Sequence, residues 1–192
     1  MAKPVLVIVN GLPGAGKTTL TRRIATDLRL PTFSRDGIYE TLYDALAYEN
    51  KEHPPLLGRA SFALLYAVAG SILAAGQPLI VEGFFGNPEL RGAEFLHLQH
   101  LHDFEPLQIL CKADGKVLLE RFLARMESEE RHSGHHGQDL AWIEQHKERL
   151  LQGQITPLAI GGQLLEIDTS TPHSFAYADL LQHIRAALTH TH

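Results

Sequence analysis

The sequence predicts an α/β fold in which a five-stranded parallel sheet is covered by helices on both faces. Short apolar segments of strand length alternate along the chain with longer segments of helical periodicity. Strands that are apolar at nearly every position are typical of a parallel sheet buried on both sides. A glycine-rich segment also separates the first strand from the first helix, at the end of the sheet where such folds bind ligands. The strands are predicted at residues 4–9, 31–34, 78–82, 107–111 and 164–168.

Helices are predicted between these strands, where apolar residues recur every three or four positions. Asn87 and Pro88 are the residue types preferred at the N-cap and at the first helical position. The predicted helices cover residues 18–28, 38–48, 57–75, 88–102, 114–126 and 142–151, and the last one starts at Thr171. The expected inward-facing residues are Leu57, Ala60, Leu64, Val68 and Ile72 in the long helix and Phe175, Ala178, Leu181, Ile184 and Leu188 in the last one.

Length and composition narrow the class of protein. A chain of 192 residues suits one α/β domain, which we expect to extend over residues 1–192. Cys111 is the only cysteine, so an internal disulfide is excluded and a cytoplasmic location is expected. No uninterrupted apolar run reaches the roughly 18 residues of a membrane span, and the first strand starts too early for a signal peptide. The net charge of −5, without a long Lys/Arg block, argues against an extended nucleic-acid interface. Nothing in the composition indicates an oligomeric state.

The glycine-rich segment matches the phosphate-binding pattern Gly-x-x-x-x-Gly-Lys-[Ser/Thr], with Gly11, Gly16, Lys17 and Thr18 at the fixed positions. Glycines let the backbone wrap a phosphate chain with its N–H groups pointing inward, and the following helix directs its positive end at the anion. Lysine reaches the β- and γ-phosphates, and the threonine hydroxyl binds Mg²⁺. The predicted nucleotide-binding residues of this loop are Gly11, Pro13, Gly14, Ala15, Gly16, Lys17, Thr18 and Thr19.

Two carboxylates follow predicted strands at the same end of the sheet. Asp36 comes directly after the second strand, where it can orient an acceptor hydroxyl and take its proton. The alternative is that Asp36 only caps a helix starting at Gly37. Glu82 ends the third strand, where burial without a partner would be costly. The aromatic residues that follow, Phe84 and Phe85, are expected either to wall the acceptor pocket or to pack in the core.

A polar stretch over residues 127–138 separates two predicted helices and is expected to be a solvated excursion of the domain. Arg121 and Arg125 precede it and lie four residues apart, hence on one helical face. The alternative to a phosphate-binding role is a solvated face that pairs these arginines with nearby glutamates. The stretch also contains Arg131 and three histidines, His132, His135 and His136, whose spacing could bind zinc, but no cysteine cluster supports a metal site.

Taken together, residues 11–18, 35–36, 80–83, 121–125 and 167–169 resemble the small P-loop kinases. That group includes nucleotide, gluconate and shikimate kinases, chloramphenicol phosphotransferase, zeta toxins and the kinase domain of polynucleotide kinase. The resemblance covers nearly the whole chain in order. It implies a P-loop NTPase three-layer sandwich with sheet order 2-3-1-4-5 and a helical lid over about residues 125–138 that closes over ATP.

The resemblance also implies roles for single residues. Asp36 resembles the general base, and Glu82 resembles the Walker B acid that holds Mg²⁺ or meets substrate. Arg121 corresponds to an arginine that stacks on adenine, and Arg125 to one that contacts phosphates from the lid. The residues expected in catalysis are Lys17, Asp36 and Arg125, those at the adenine pocket are Arg121, Asp168 and Thr169, and those that meet substrate are Asp36, Tyr39, Glu82, Phe84 and Arg131.

The expected function is that of an ATP-dependent, Mg²⁺-dependent kinase acting on a hydroxyl of a small molecule. One alternative is a kinase of nucleosides, nucleotides or polynucleotide 5′ ends, although residues 37–40 lack the arginine that polynucleotide kinases carry after their aspartate. A GTPase-type switch is disfavoured because Cys111 replaces the asparagine of a guanine-binding motif. A non-catalytic ATP-binding module is the remaining alternative.

Overall fold

The computed structural model describes residues 3–46, 55–129, 131–135, 138–172 and 174–189. Five parallel strands form one sheet in the order 2-3-1-4-5, so the first strand lies in the centre between the third and the fourth. This confirms the predicted P-loop NTPase fold and its strand order. The strands are β1 (Val5–Gly11), β2 (Thr32–Ser34), β3 (Leu79–Gly83), β4 (Glu105–Lys112) and β5 (Gln163–Asp168).

Seven α-helices in the described part of the chain connect and cover these strands. Asn87 caps the helix after β3 by accepting a hydrogen bond from the backbone N–H of Leu90, and Pro88 occupies its first turn, as predicted. A short 3₁₀ turn at Ser133–His135 precedes the sixth helix. The helices are α1 (Lys17–Leu28), α2 (Arg35–Ala45), α3 (Pro55–Ala74), α4 (Pro88–His102), α5 (Gly115–Met126), α6 (Gln138–Leu151) and α7 (Tyr177–Thr189).

The core consists of two apolar clusters on opposite faces of the sheet. Successive side chains of a strand point to opposite faces, and β1 supplies both clusters in this way. Val5, Val7 and Val9 pack with residues of α1, α5, α6 and α7. Leu6 and Ile8 pack with residues of α3 and α4. The central strand is thereby held on both faces, which fixes the loop at its carboxyl end.

Beyond Leu57, the buried face of α3 is shifted along the helix by one residue from the predicted face. The fully buried side chains are Leu57, Ser61, Leu65, Ala69 and Leu73, whereas Leu64 is 42% exposed. The prediction was wrong beyond Leu57 because almost every position of this helix is apolar, so periodicity could not identify the inward side. Contact with β3 and α4 decides it instead.

The same helix requires a correction to the expectation about membrane spans. Leu56–Ala74 is long and apolar enough to cross a membrane by length and composition, with a mean hydropathy of 1.6. Arg59 interrupts the run, so a search for uninterrupted apolar residues misses it. In this protein Leu65, Ala69 and Leu73 pack in the core against the sheet. A helix in a protein core can satisfy the same criteria of length and composition as a membrane span.

The last helix begins at Tyr177, six residues after the predicted start at Thr171. The Ser174 hydroxyl lies 2.7 Å from the backbone oxygens of both Asp168 and Thr171, which holds the segment in a turn instead. The late start shifts the inward face. Ile184 is buried as predicted, but Ala178 is exposed, and the buried neighbours of Ile184 are Leu180 and Ala187.

We expect Gly162→Ala to destabilise the fold more than Gly161→Ala. Both glycines have left-handed φ angles, 72° and 70°, so alanine should cost about 1 kcal/mol of unfolding free energy at either position. At Gly162 the new Cβ would also meet the backbone oxygen of Pro106, whereas at Gly161 no atom lies within 4 Å. An additional loss of roughly 2 kcal/mol is expected in urea unfolding. Equal losses would show that the approach of β5 to Pro106 is not tight.

Candidate active site

The glycine-rich loop connects β1 to the N-terminus of α1. A side chain at Gly11 would collide with the backbone oxygen of Cys111, and Gly14 and Gly16 have left-handed φ angles of 84° and 69°. The first turn of α1 carries no acidic side chain that could substitute for a bound anion. Lys17 is only 8% exposed, and its Nζ donates to the backbone oxygen of Leu12 at 3.0 Å. The loop therefore has the form of a phosphate cradle with one lysine inside it.

The loop is tied to neighbouring strands by two side chains that sequence analysis did not assign to these contacts. Asn10 is 1% exposed, and its Oδ1 accepts from the N–H of Gly11 at 2.8 Å and from that of Phe85 at 3.0 Å. The Thr169 hydroxyl lies within hydrogen-bond distance of the backbone oxygens of Ala15 (3.1 Å) and Lys112 (3.0 Å). These bonds connect the phosphate loop to the loop after β3 and to the turn after β5.

Thr18 and Glu82 provide a pair of oxygen ligands beside the phosphate loop. The Thr18 hydroxyl donates to Glu82 Oε2 at 3.2 Å, and the Glu82 side chain is buried at the carboxyl end of β3. Burial raises the pKa of Glu82, and Asp36 adds to the increase, while Lys17 and the Thr18 hydrogen bond oppose it. Hydroxyl and carboxylate oxygens are the ligands that Mg²⁺ prefers. The pair fits a magnesium site next to a nucleotide.

Asp36 lies in the first turn of α2, which begins directly after β2. The cap of this helix is Ser34, whose Oγ accepts from the N–H of Gly37 at 2.8 Å. The alternative in which Asp36 caps the helix is therefore wrong. Burial favours the neutral acid, but Arg35 at 3.0 Å, His135 and Lys17 outweigh it, so the pKa of Asp36 lies below its usual range. Asp36 is thus a carboxylate held in its ionised form mainly by the neighbouring Arg35.

One cleft of about 260 Å³ brings the predicted catalytic and metal-binding residues together. It contains the loop lysine, both carboxylates, and two arginines from α5 and the segment after it. The side chain of Asp36 is 47% exposed, and this surface faces the cleft. The residues that line the cleft are Pro13, Lys17, Thr18, Arg35, Asp36, Phe62, Glu82, Phe84, Phe122, Arg125, Arg131 and His135.

A second cavity of about 440 Å³, here called the side cavity, lies on the other side of the phosphate loop. Arg121 is fixed at its wall, because its guanidinium donates to the backbone oxygens of Thr169 and Ser170, each at 2.9 Å, and approaches that of Gly14 at 3.5 Å. The predicted pairing of Arg121 with glutamates is therefore not its main contact. The residues lining the side cavity are Gly14, Gly16, Thr19, Leu20, Arg23, Arg121, Thr169, Thr171, Pro172, Phe175 and Tyr177.

Four predicted site residues line neither cavity: Gly11 and Ala15 of the phosphate loop, which are buried, and Tyr39 and Asp168. Tyr39 is 3% exposed and lies behind the cleft, where Arg35 is positioned over its ring at 4.9 Å. It can support substrate-facing groups but is not itself at the cleft surface. Asp168 is exposed and accepts hydrogen bonds from the backbone and hydroxyl of Ser170, at 2.8 and 2.6 Å, so it shapes the turn rather than facing the side cavity.

The polar stretch after α5 contributes Arg131 and His135 to the cleft. We call residues 127–129 and 131–135 the lid. His136, also predicted in this stretch, lies outside the described residues. His135 is 6% exposed despite the polar sequence around it. This burial was not predicted, because the local pattern has no apolar residue to indicate it.

Sequence analysis also missed residues that only the fold brings to the cleft. Phe62 comes from α3, where a uniformly apolar sequence offers no signal for one aromatic ring that lines the cleft. Arg35 was noted only as the neighbour of Asp36, but it ion-pairs with that carboxylate and lies over two aromatic rings. A charged residue directly beside a candidate base is the one signal that could have identified it.

We expect Arg121→Ala to lower the affinity for ATP about tenfold or more, because the guanidinium joins two walls of the side cavity through charged hydrogen bonds. Calorimetric titration with ATP measures this loss. Lys116→Ala removes an equal charge from an exposed position on α5 and should leave the affinity unchanged. Unchanged affinity in Arg121→Ala would exclude Arg121 from the nucleotide site.

Comparisons with known proteins agree with this fold. The model of an AAA domain family matches residues 6–150. The structure of a candidate kinase from Chloroflexus aurantiacus j-10-fl is 37% identical, covers 97% of this chain and 100% of its own, and superposes with a TM-score of 0.85. Kti12 from Chaetomium thermophilum, solved with ADP-AlF3, and a gluconokinase from Sinorhizobium meliloti 1021 share the fold, with TM-scores of 0.63 and 0.52 at 17% and 16% identity over 97% and 98% of this chain and 100% and 93% of theirs.

A curated relative is an uncharacterized protein of Mycobacterium tuberculosis strain H37Rv, 27% identical over 127 residues. The match covers 62% of this chain, and the chain spans about a quarter (25%) of the length of that relative. The family model, in contrast, covers most of the present chain, including the glycine-rich loop that both cavities share. The chain therefore belongs to the AAA domain family, and within it to the small P-loop kinases.

Proposed function

We propose that the protein is an ATP-dependent kinase that transfers the γ-phosphoryl group to a hydroxyl of a small molecule, with Mg²⁺. One observation supports this above all: a single cleft contains Lys17, the Thr18–Glu82 pair and the ionised Asp36. A nucleotide-binding module needs the first two features. Such a module has no need of an ionised aspartate in the same cleft, whereas phosphoryl transfer to a hydroxyl needs a carboxylate there to accept the proton.

We propose that the two cavities bind different parts of the substrates. The side cavity would hold the nucleoside of ATP, with the planar face of Arg121 beside the base. The loop amides and Lys17 would bind the phosphates, and Arg125 and Arg131 would meet the γ-phosphate from the lid side of the cleft. Thr18 and Glu82 would hold Mg²⁺, which supplies charge neutralisation of the phosphates.

Phosphoryl transfer then needs mainly position and charge from the protein. Asp36 would accept the hydrogen bond of the acceptor hydroxyl and take its proton as the new oxygen–phosphorus bond forms. The bond from the γ-phosphorus to the bridging oxygen breaks, and ADP leaves. The cations Lys17, Arg125 and Arg131 would stabilise the charge that spreads over the transferred group.

The cleft favours a small acceptor. Its volume of about 260 Å³ lies near the lower end of ligand pockets, and the γ-phosphate must share it. Phe62 and Phe84 offer apolar walls, and Arg35 and Asp36 offer polar groups, which suits a compact molecule with hydroxyls on an apolar frame. A sugar-sized substrate meets these conditions.

We further propose that residues 1–192 act as one domain in the cytoplasm.

ATP consumption with Mg²⁺ against pooled hydroxyl compounds tests the proposal. The pools are sugars and sugar acids, nucleosides, aminoglycoside and phenicol antibiotics, and an oligonucleotide with a 5′-hydroxyl. We expect one small-molecule pool to stimulate ADP release, and EDTA to abolish the stimulation. Stimulation by the oligonucleotide alone would favour a 5′-end kinase, and ATP binding with no response to any pool would favour a non-catalytic module.

A further inference from the structure

We propose that Glu40 and His135 form a carboxylate–imidazole pair that belongs to the acceptor side of the cleft, in which Glu40 positions the ring and His135 hydrogen-bonds the acceptor molecule. This inference rests on the proposed kinase function, and it assigns to the lid a role in binding the acceptor. The observations that carry it are the contacts of the two lid histidines with α2.

His135 is docked against α2 by three kinds of contact. Its Nε2 lies 2.9 Å from Glu40 Oε1, and its ring stacks on Tyr39 with centroids 5.3 Å apart and planes 25° apart. The Tyr39 hydroxyl donates to the backbone oxygen of Gly134 at 3.2 Å. Because Asp36, Tyr39 and Glu40 are spaced three and four residues apart, they lie on one face of α2. The helix that presents the proposed base therefore also holds the histidine.

The contact with Glu40 leaves one ring nitrogen for a ligand. A carboxylate at Nε2 places the proton of the neutral ring on that nitrogen, so Nδ1 becomes the hydrogen-bond acceptor. Within the described residues Nδ1 of His135 has no hydrogen-bond partner, and the side chain lines the cleft together with Asp36.

His132 shows what a purely structural histidine looks like in the same segment. Its Nε2 lies 3.2 Å from Asp44, one helical turn beyond Glu40 on α2, and its ring packs edge-on against Tyr43. Its Nδ1 accepts from the backbone N–H of Gly134 at 3.1 Å, so both ring nitrogens are occupied. His132 does not line the cleft. The two histidines are therefore alike in docking the lid and different in access to a ligand.

The chemistry suits an acceptor with more than one hydroxyl. Asp36 accepts one hydroxyl proton, and Nδ1 of His135 can accept a hydrogen bond from a second hydroxyl of the same molecule. Two acceptors fixed to one helix would orient a vicinal diol or a similar polyol, since each fixes one oxygen of the ligand. His135 then completes the acceptor site from the lid side, and a closed cleft excludes the water that would otherwise accept the phosphoryl group.

The test compares His135→Gln with His132→Gln as its matched control, and Glu40→Gln with Asp44→Asn. The probe is the pool of hydroxyl compounds that stimulates wild-type ATP consumption, with KM measured for ATP and kcat/KM for the pool. We expect His135→Gln to lose about tenfold or more in kcat/KM for the pool, with KM for ATP within twofold of wild type. His132→Gln and Asp44→Asn should change both parameters little.

Glu40 acts through His135 in this scheme, so the double variant should be no worse than His135→Gln alone. Equal losses in the His132→Gln and His135→Gln variants would overturn the proposal and leave a structural latch. Additive losses for Glu40→Gln and His135→Gln would show that Glu40 does not position the ring.

A spectroscopic measurement keeps the pair testable if no pool stimulates the wild type, an outcome that would count against the kinase function itself. In ¹⁵N-histidine spectra, the signal that disappears in His135→Gln should show the proton on Nε2, and Glu40→Gln should shift it. A proton on Nδ1, or a signal that Glu40→Gln leaves in place, would refute the pair independently of any activity.

Discussion

Lys17→Ala is expected to abolish ATP turnover, with a loss of about a thousandfold or more in kcat/KM for ATP. The Nζ group is held inside the phosphate loop by the backbone oxygen of Leu12 and lines the cleft beside Thr18 and Glu82. Lys17 is a cation of the loop itself, and a charged hydrogen bond to the phosphates is stronger than a neutral one. Steady-state ADP release measures the loss, and calorimetry measures the accompanying fall in ATP affinity.

Lys112→Ala is the matched control for this variant. Lys112 forms an ion pair with Glu166 at 2.6 Å across β4 and β5, and its side chain is 34% exposed. Removing it deletes the same charge outside the cleft, and exposed pairs of this kind contribute little to stability. Turnover should stay near wild type. If Lys17→Ala kept turnover within tenfold of the control, the glycine-rich loop would not be the phosphate site.

Asp36→Asn is expected to keep ATP binding and to lose acceptor-stimulated transfer by roughly a hundredfold to ten-thousandfold. The amide has the shape of the carboxylate, but it cannot take a proton from the acceptor. The carboxylate is ionised at neutral pH, because neighbouring groups, Arg35 first among them, outweigh the effect of burial and hold the pKa of Asp36 below its usual range. Parallel measurements of ATP affinity and of stimulated ADP release separate binding from transfer.

Asp44→Asn makes the same chemical change two turns further along α2, at a carboxylate that contacts the lid and not the cleft. It should leave stimulated transfer within a few-fold of wild type. Normal transfer in Asp36→Asn would remove the general-base assignment. A loss of stability alone, seen as an earlier urea transition, would instead point to a role in α2, although Ser34 already caps that helix.

The sheet could be predicted because its strands are marked by local signals. β1, β3 and β4 are largely apolar runs that end at a glycine or a charged residue, and β1 leads directly into the glycine-rich loop. The register of α3 could not be predicted, since an apolar helix has no polar face to orient it. The start of α7 also failed, because the Ser174 hydroxyl forms contacts with Asp168 and Thr171 that favour a turn.

For the candidate site, too, residues marked by local sequence signals could be predicted and the others could not. Lys17, Thr18, Asp36 and Glu82 were identified because each stands directly after a strand or in a fixed motif. Side chains that reach the site across long sequence distances were not. His135 meets Glu40 across 95 residues, and no local pattern records such a contact. Tertiary packing alone brings the lid to α2.

The single side-chain oxygen of Asn10 has a thermodynamic consequence for a protein with two ligands. It accepts from Gly11, the first residue of the phosphate loop, and from Phe85, next to the cleft wall formed by Phe84. Neither loop can change its hydrogen bond without altering the geometry available to the other. If the two loops bind the nucleotide and the acceptor as proposed, we expect their binding free energies to be linked, and by reciprocity any preference that the nucleotide creates for the acceptor is returned in equal measure to the nucleotide.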